Sequence, residues 1–443
     1  MIILGAFFVV FIIFAVLRVP VGFSILAGGI AAYLAGGLPV AGIPSALIAA
    51  LDSFPLLAIP AFVFAGDLMS QGGISSALVR FIRSIVGKIR GSLGAVAVIT
   101  SAIFGAISGS AVATVSAIGG ILMPEMEKEG YSRKYICALL SSAGILGTLI
   151  PPSIPGVQYA IIAGLKTTDV WMSTLVPGIL LTICFCIANY ISFGRKQPKS
   201  SSKTVLNPQG EEVPRMKELV DATPKALVAL ITPLIIFGGV YGGIFTATEA
   251  GAVSVVYSLL AGWVIYPLFF KQKPSIGILS TAKQSAMSCL TIGILVCTAN
   301  VVARGISLGG VSQQLIDLLM DISDSKFVFL IAVNILLLIC GMFLETNAAI
   351  LLFAPMLIPV AQAYGVDPLH FGAIVLVNLE IGLLTPPFAA CLFVGCKMTR
   401  TTINEVMKPM IPFYICCVPI LLLTTYWPDF SMWMPRLLSG LGG

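Results

Sequence analysis

The chain has 443 residues, of which 58% are hydrophobic and only 10% charged, with a mean hydropathy of +1.03. A water-soluble domain carries about 25% charged residues, so this composition excludes a soluble globular protein and indicates an integral membrane protein. The net charge of +6 at pH 7 does not indicate a nucleic-acid partner here, because the placement of Lys and Arg matters more than their sum.

The apolar runs are continuous, which excludes a barrel of alternating strands and leaves an all-α polytopic membrane protein. In chain order, runs long enough to cross the bilayer fall near 2–17, 20–37, 55–70, 135–165, 174–193, 226–245, 249–270, 285–304, 370–396 and 409–427, ten in all. The first has no charged segment before it and no small-residue cleavage site after it, so it reads as a retained helix, not a signal peptide. All ten cysteines lie inside apolar runs with no metal-ligand spacing and read as packing residues.

Two further stretches do not fit a single crossing. Gly91–Pro124 runs 34 residues without a charge, about 51 Å as one helix. Arg80, Arg83, Lys88 and Arg90 precede it and Lys128, Arg133 and Lys134 follow it, so both ends are expected on the cytoplasmic side. A segment with both ends on one side is a re-entrant hairpin, expected over about 93–123. Phe327–Ala363 is bounded by Asp317, Asp321, Asp324 and Asp367 and reads as a hairpin over about 327–363 entering from the opposite face. Threading ten crossings with these hairpins puts both termini outside. It also puts all 25 Lys and Arg on the cytoplasmic side except Lys166, Arg304, Lys326 and Arg436. Ser75–Gly91 carries apolar and basic faces and reads as a helix in the cytoplasmic interface, with Val311–Ser325 as its acidic counterpart.

The polar stretch 194–225 is the one linker-like segment, read as cytoplasmic, and it separates the halves 1–193 and 226–443. Pro124, Gly130, Gly147, Pro151 and Pro152 recur as Pro359, Gly365, Gly382, Pro386 and Pro387, each 235 residues later. Each half holds five crossings and one hairpin. An odd number of crossings gives the halves opposite topology, the inverted-repeat architecture of ion-coupled transporters.

The chemistry is expected where backbone is irregular at membrane depth. The hairpins turn at Ser108-Gly109-Ser110 and Glu345-Thr346-Asn347. The long helix of about 135–165 is interrupted at Gly147-Thr148 and Pro151-Pro152, and that of about 370–396 at Gly382, Thr385 and Pro386-Pro387. Proline frees carbonyls, and carbonyls with hydroxyls are hard oxygen ligands. Ser108, Gly109, Ser110, Gly147, Thr148, Thr346, Gly382 and Thr385 are therefore expected to line about two Na⁺ sites, with no organic cofactor. Helix N-termini at the same breaks favour an anion, which makes Ser108, Ser110, Ser153, Glu345, Thr346 and Asn347 candidate substrate contacts. Arg304 is a candidate carboxylate clamp, with snorkelling to the interface as its alternative. The bland alternative for the tips is close helix packing by small residues. Glu380, one turn before the second break, is a further buried-charge candidate, whereas Asp67 and Glu249 read as structural partners of neighbouring helices.

Together Phe104–Thr114, Met123–Met126 with Gly130-Tyr131, Gly147–Ser153, Phe245–Gly251, Leu344–Asn347, Gly365–Pro368 and Gly382–Pro387 resemble the large membrane subunit of tripartite ATP-independent periplasmic (TRAP) transporters. The resemblance spans essentially the whole chain. It implies an elevator-type, Na⁺-driven importer of organic acid anions (dicarboxylate, sialic acid or a similar carboxylate) in the bacterial inner membrane. It also implies a small four-helix membrane subunit and a periplasmic substrate-binding protein as partners. Ala389 and Cys391 depart from the Gly and Asn that usually follow the second Pro-Pro in the family. The rival reading is an autonomous divalent-anion/Na⁺ symporter of similar architecture that needs no binding protein. An intramembrane hydrolase is disfavoured, because the only histidine, His370, lies in another segment from Ser108.

Overall fold

The computed structural model describes residues 2–87, 90–196, 204–206 and 212–441. The chain opens with α1 (Ile2–Val16), α2 (Val21–Ala35), α3 (Ile43–Ala49), α4 (Ala58–Gln71) and the amphipathic α5 (Ile74–Val86). Next come α6 (Ser92–Ser108) and α7 (Ala111–Lys128), then α8 (Arg133–Gly144), α9 (Leu146–Leu149), α10 (Ile154–Ala163) and α11 (Thr167–Ser192). The second half runs α12 (Arg215–Tyr241), α13 (Ala247–Leu260), α14 (Tyr266–Phe270), α15 (Ile278–Leu308) and α16 (Val311–Ile322). It ends with α17 (Lys326–Phe343), α18 (Thr346–Ala363), α19 (Pro368–Gly382), α20 (Ala390–Thr399), α21 (Ile403–Tyr426) and α22 (Pro428–Leu441).

Eight of the described helices are long and apolar enough to cross a membrane, or nine if the pair bent by 42° between Arg133–Leu149 and Ile154–Ala163 is one span. The eight include α17 and α18, which form the second expected hairpin. The runs expected near 2–17 and 20–37 become helices of 15 residues each, about 22 Å at 1.5 Å per residue, shorter than the hydrocarbon layer. Pro20 stops α1 from continuing, and Gly36 ends α2.

The linker reading over 194–225 needs correction at its C-terminal end. Residues from Arg215 onward already belong to α12, which starts directly after Pro214. Tertiary contact explains this, because Glu218 in the first turn pairs with Arg80 of α5, and Arg215 donates to the Ser84 carbonyl at 2.9 Å. The Glu218 hydrogen bond holds the Arg80 guanidinium above its ordinary pKa. Before α12 a short antiparallel pairing joins 204–206 to 212–214. Lys88, Lys199, Lys203 and Glu211, which the charge pattern used, lie outside the described residues.

Packing divides the interior into several apolar clusters. The largest is built by α6 to α9, α11 and α19 to α21 around Ile118, Leu139, Phe185, Leu384 and Phe413. A second joins α1, α2 and α15 to α10, α17, α18 and α19, around Phe7, Ile25, Leu337 and Phe371. The hairpin arms and interrupted helices are thus buried on most sides, whereas α12 to α15 keep large apolar side chains such as Leu234, Val256, Phe269 and Leu290 exposed.

Candidate functional site

Both expected turns occur where the small and polar residues lie. In the first hairpin α6 ends at Ser108, Gly109 takes φ +59°, and Ser110 caps α7 by accepting from the Ala113 N–H at 3.4 Å. The tip is knitted internally: the Thr114 hydroxyl donates to the Ser110 carbonyl at 2.8 Å and lies 3.1 Å from Ser108 Oγ. In the second hairpin α17 ends at Phe343 and α18 starts at Thr346, with Glu345 as N-cap.

Each tip is fastened to the interrupted helix of its own half. The Ile154 N–H donates to the Gly109 carbonyl at 3.4 Å, and the Phe388 and Ala389 N–H groups donate to the Met342 carbonyl at 3.2 and 3.3 Å. Just before each tip the two backbones nearly touch. A Cβ on Gly105 would fall 2.3 Å from the Gly147 Cα, and one on Gly341 would fall 2.9 Å from the Gly382 Cα. Both Pro-Pro bonds, 151–152 and 386–387, are cis.

The tips and breaks meet at a single cavity of about 640 Å³. Ser108, Gly109, Ser110, Thr148, Glu345, Thr346, Asn347 and Glu380 line it, together with Asp67, Ser70 and Gln71 of α4 and Gln284, Ser288 and Thr291 of α15. No Lys or Arg is among the described residues lining it. Glu380 is 1% exposed and accepts from the Thr346 hydroxyl at 2.9 Å, which ties the second break region to the second tip. Thr148 of the first break borders the same carboxylate, although its hydroxyl donates to the Ile145 carbonyl at 3.0 Å. Among the described residues, Glu380 Oε2 and Asn347 Oδ1 have no hydrogen-bond partner. The N-termini of α7 and α18 face this space, and so does the start of α10, through Ile154 and Pro155. Three helix N-termini and three carboxylates therefore border one polar cavity, an arrangement able to hold cations and an anion together.

The other candidate residues sit elsewhere. Ser153 caps α10 through the Gly156 N–H at 3.2 Å, and its carbonyl is taken by the Trp171 indole N–H at 3.0 Å. Gly147 and Gly382 are buried in the helix contacts described above, and the Thr385 hydroxyl donates to the Ile381 carbonyl at 3.1 Å. The Leu384 carbonyl, near the second Pro-Pro, accepts from the Tyr414 hydroxyl at 2.6 Å. Large aromatic donors reach these carbonyls from α11 and α21, which local proline chemistry could not reveal. Arg304 does not line the cavity; it donates to Ser45 Oγ at 3.3 Å near the far end of α15. Glu249 forms a capping box with Thr246 on its own helix and is not a link to a neighbouring one. Asp67 does bridge helices, accepting from Ser285 Oγ at 2.6 Å, but it also lines the cavity. Ser70, Gln71, Gln284, Ser288 and Thr291 were not singled out from sequence, although their helical spacing of three and four was readable. Ala389, the departure noted after the second Pro-Pro, takes φ +42° and leaves α20 without a side-chain cap.

A smaller cavity of about 400 Å³ lies one helical turn further along α10, α15 and α18. Gln158 and Asn300 are its polar groups, among Leu56, Ile161, Val296 and Leu351. Leu56 and Ile292 join an apolar cluster with Val157 beside it.

Residues 8–430 match the family described as tripartite ATP-independent periplasmic transporter, DctM component. The chain is 32% identical over 428 residues to the sialic acid TRAP transporter large permease protein SiaM of Vibrio cholerae, covering 96% of each. It is 34% identical over 389 residues to the C4-dicarboxylate TRAP transporter large permease protein DctM of Pseudomonas aeruginosa, covering 88% of each. In fold it is similar to the Alcanivorax borkumensis YdaH transporter, with a TM-score of 0.61 at 14% identity over 90% of this chain and 91% of that one. The Neisseria gonorrhoeae MtrF structure is similar with a TM-score of 0.56 at 14% identity, over 89% and 84% of the two chains. A multi-pass helical membrane protein whose relatives are named transporter permeases, and whose length is matched almost end to end, this chain belongs to the DctM component, the large permease family, of the tripartite ATP-independent periplasmic transporters.

Proposed function

We propose that the chain is the large permease of a Na⁺-driven importer of an organic acid anion in the inner membrane, supplied by a periplasmic binding protein and completed by a small membrane subunit. The names of its relatives make sialic acids and C4-dicarboxylates the first substrates to test. One observation carries the reading: tips and breaks from both halves border one cavity whose described lining residues include three carboxylates and no Lys or Arg. Oxygen-rich walls of that charge suit cations, and with Na⁺ bound the N-termini of α7, α10 and α18 can hold a carboxylate. In this reading the halves are inverted repeats, and the hairpins with the interrupted helices slide as one body along α4 and α15. Ser70, Gln71 and Gln284 stand near the ends of α4 and α15 that the charge pattern assigns to the cytoplasm, which supports reading this as the inward-open arrangement.

The test is uptake of labelled acid by proteoliposomes holding the chain with both partners. Replacing Na⁺ by choline is expected to abolish uptake, and Ser108→Ala or Ser110→Ala to raise the Na⁺ concentration for half-maximal rate several-fold. Uptake indifferent to choline but lost with the proton gradient would overturn Na⁺ coupling.

A further inference from the structure

Asp67 stands on the α4 wall of the cavity that the hairpin tips also line. The first tip comes closest to that wall beside it, since a Cβ on Gly66 would lie 3.0 Å from the Ser108 Cα. From Asp67 a polar strip runs away from the tips: Ser70 and Gln71 follow at three and four residues on α4, and Thr291, Ser288 and Gln284 lie at spacings of three and four on α15. Those spacings put each set on one helix face. The strip ends beside Gly72 on α4 and beside Lys283 on α15, the ends assigned to the cytoplasm. No Lys or Arg is among the described residues lining the cavity, so no cationic side chain there offsets Asp67 as seen by an anion at the tip.

We propose that Asp67 is a release residue. Fixed on the wall that the first tip lies against in the inward-open arrangement, its charge weakens the hold on a bound organic anion, and the strip of hydroxyls and amides conducts the anion out. When the hairpins stand further along α4 the separation grows and the repulsion fades, so the device lowers affinity on the cytoplasmic side only. This role rests on the anion-import reading above. A like charge a few ångströms across a polar cavity is worth on the order of tenfold in affinity.

The experiment compares KM on the two faces of the full complex in oriented proteoliposomes, using labelled sialic acid or succinate, whichever the wild type moves. Asp67→Asn is expected to lower the cytoplasmic-side KM about tenfold and to change the external-side KM by a clearly smaller factor. Asp67→Glu keeps both values. Ser285→Ala removes the brace between α4 and α15 but keeps the charge, so it leaves the cytoplasmic-side KM unchanged. If Asp67→Asn folds poorly, Asp67→Ser provides the same reading. A neutral variant with unchanged or raised cytoplasmic-side KM, or a Ser285→Ala shift of the same size, overturns the role while import stands. A wild-type complex that moves no organic anion under a Na⁺ gradient overturns the import reading and this role with it.

Discussion

Gln158 is 1% exposed, and among the described residues neither its side-chain N–H₂ nor its carbonyl oxygen has a partner. Its surroundings on α10, α15 and α18 are apolar except for Asn300, whose amide donates to the Ala46 carbonyl at 2.8 Å. Burying an unpartnered amide costs about 1–3 kcal/mol, so Gln158→Leu is expected to raise the apparent unfolding temperature of the purified protein. Thermal unfolding in detergent checks this, and a lowered midpoint would mean that a polar occupant holds the amide. Glu380 differs, because it has the Thr346 hydroxyl on one oxygen and lines the larger cavity. Its place one turn before a proline break was readable in the sequence. Its pairing with Thr346, 34 residues away, was not, because it depends on how the second hairpin is docked.

At the scale of elements, the contacts that set the tips are glycine crossings. Gly105 against Gly147 and Gly341 against Gly382 let an arm of each hairpin lie backbone to backbone on the interrupted helix. Small residues at such crossings permit the close van der Waals contact that drives association in lipid. Gly105→Leu must push α6 away from α9, and overpacking of this kind costs about 1–3 kcal/mol. It is expected to lower both stability and transport. Gly120→Ala on α7, where a Cβ would meet nothing within 4 Å, is the control; it should gain about 0.5–1 kcal/mol of helix stability and leave transport intact. Paired thermal unfolding and uptake measurements check both. The repeated Gly and Pro positions showed from sequence that two equivalent features exist. The partner of each glycine became visible only when the hairpins were laid on the interrupted helices.

At the scale of the whole molecule, large apolar side chains stay exposed along α1, α12 to α15 and α17. Lipid or a second membrane subunit must cover them. The polar cavity, by contrast, lies between the hairpin tips and the α4–α15 wall. In the tripartite reading the purified chain alone is expected to move essentially no organic acid under a Na⁺ gradient, and adding the small subunit and binding protein to restore uptake. Robust uptake by this polypeptide alone would favour an autonomous symporter and leave the paired tips and breaks as they are.

Class, hairpin positions and helix breaks were determined by the sequence itself, because hydropathy, charge asymmetry and proline act locally or through the bilayer. An uncharged stretch of 34 residues is too long for one crossing, and α6 and α7 meet at Gly109 within it. Tertiary structure alone decided which polar groups share a space. It turned Thr385, Ser153 and the Leu384 carbonyl toward their own helices or aromatic neighbours, left Arg304 beside Ser45, and brought Asp67 and the α15 hydroxyls to face the tips. The physical reason is that a helix presents three or four faces with similar polarity in an apolar chain. Only packing against other helices chooses the face that looks into the cavity.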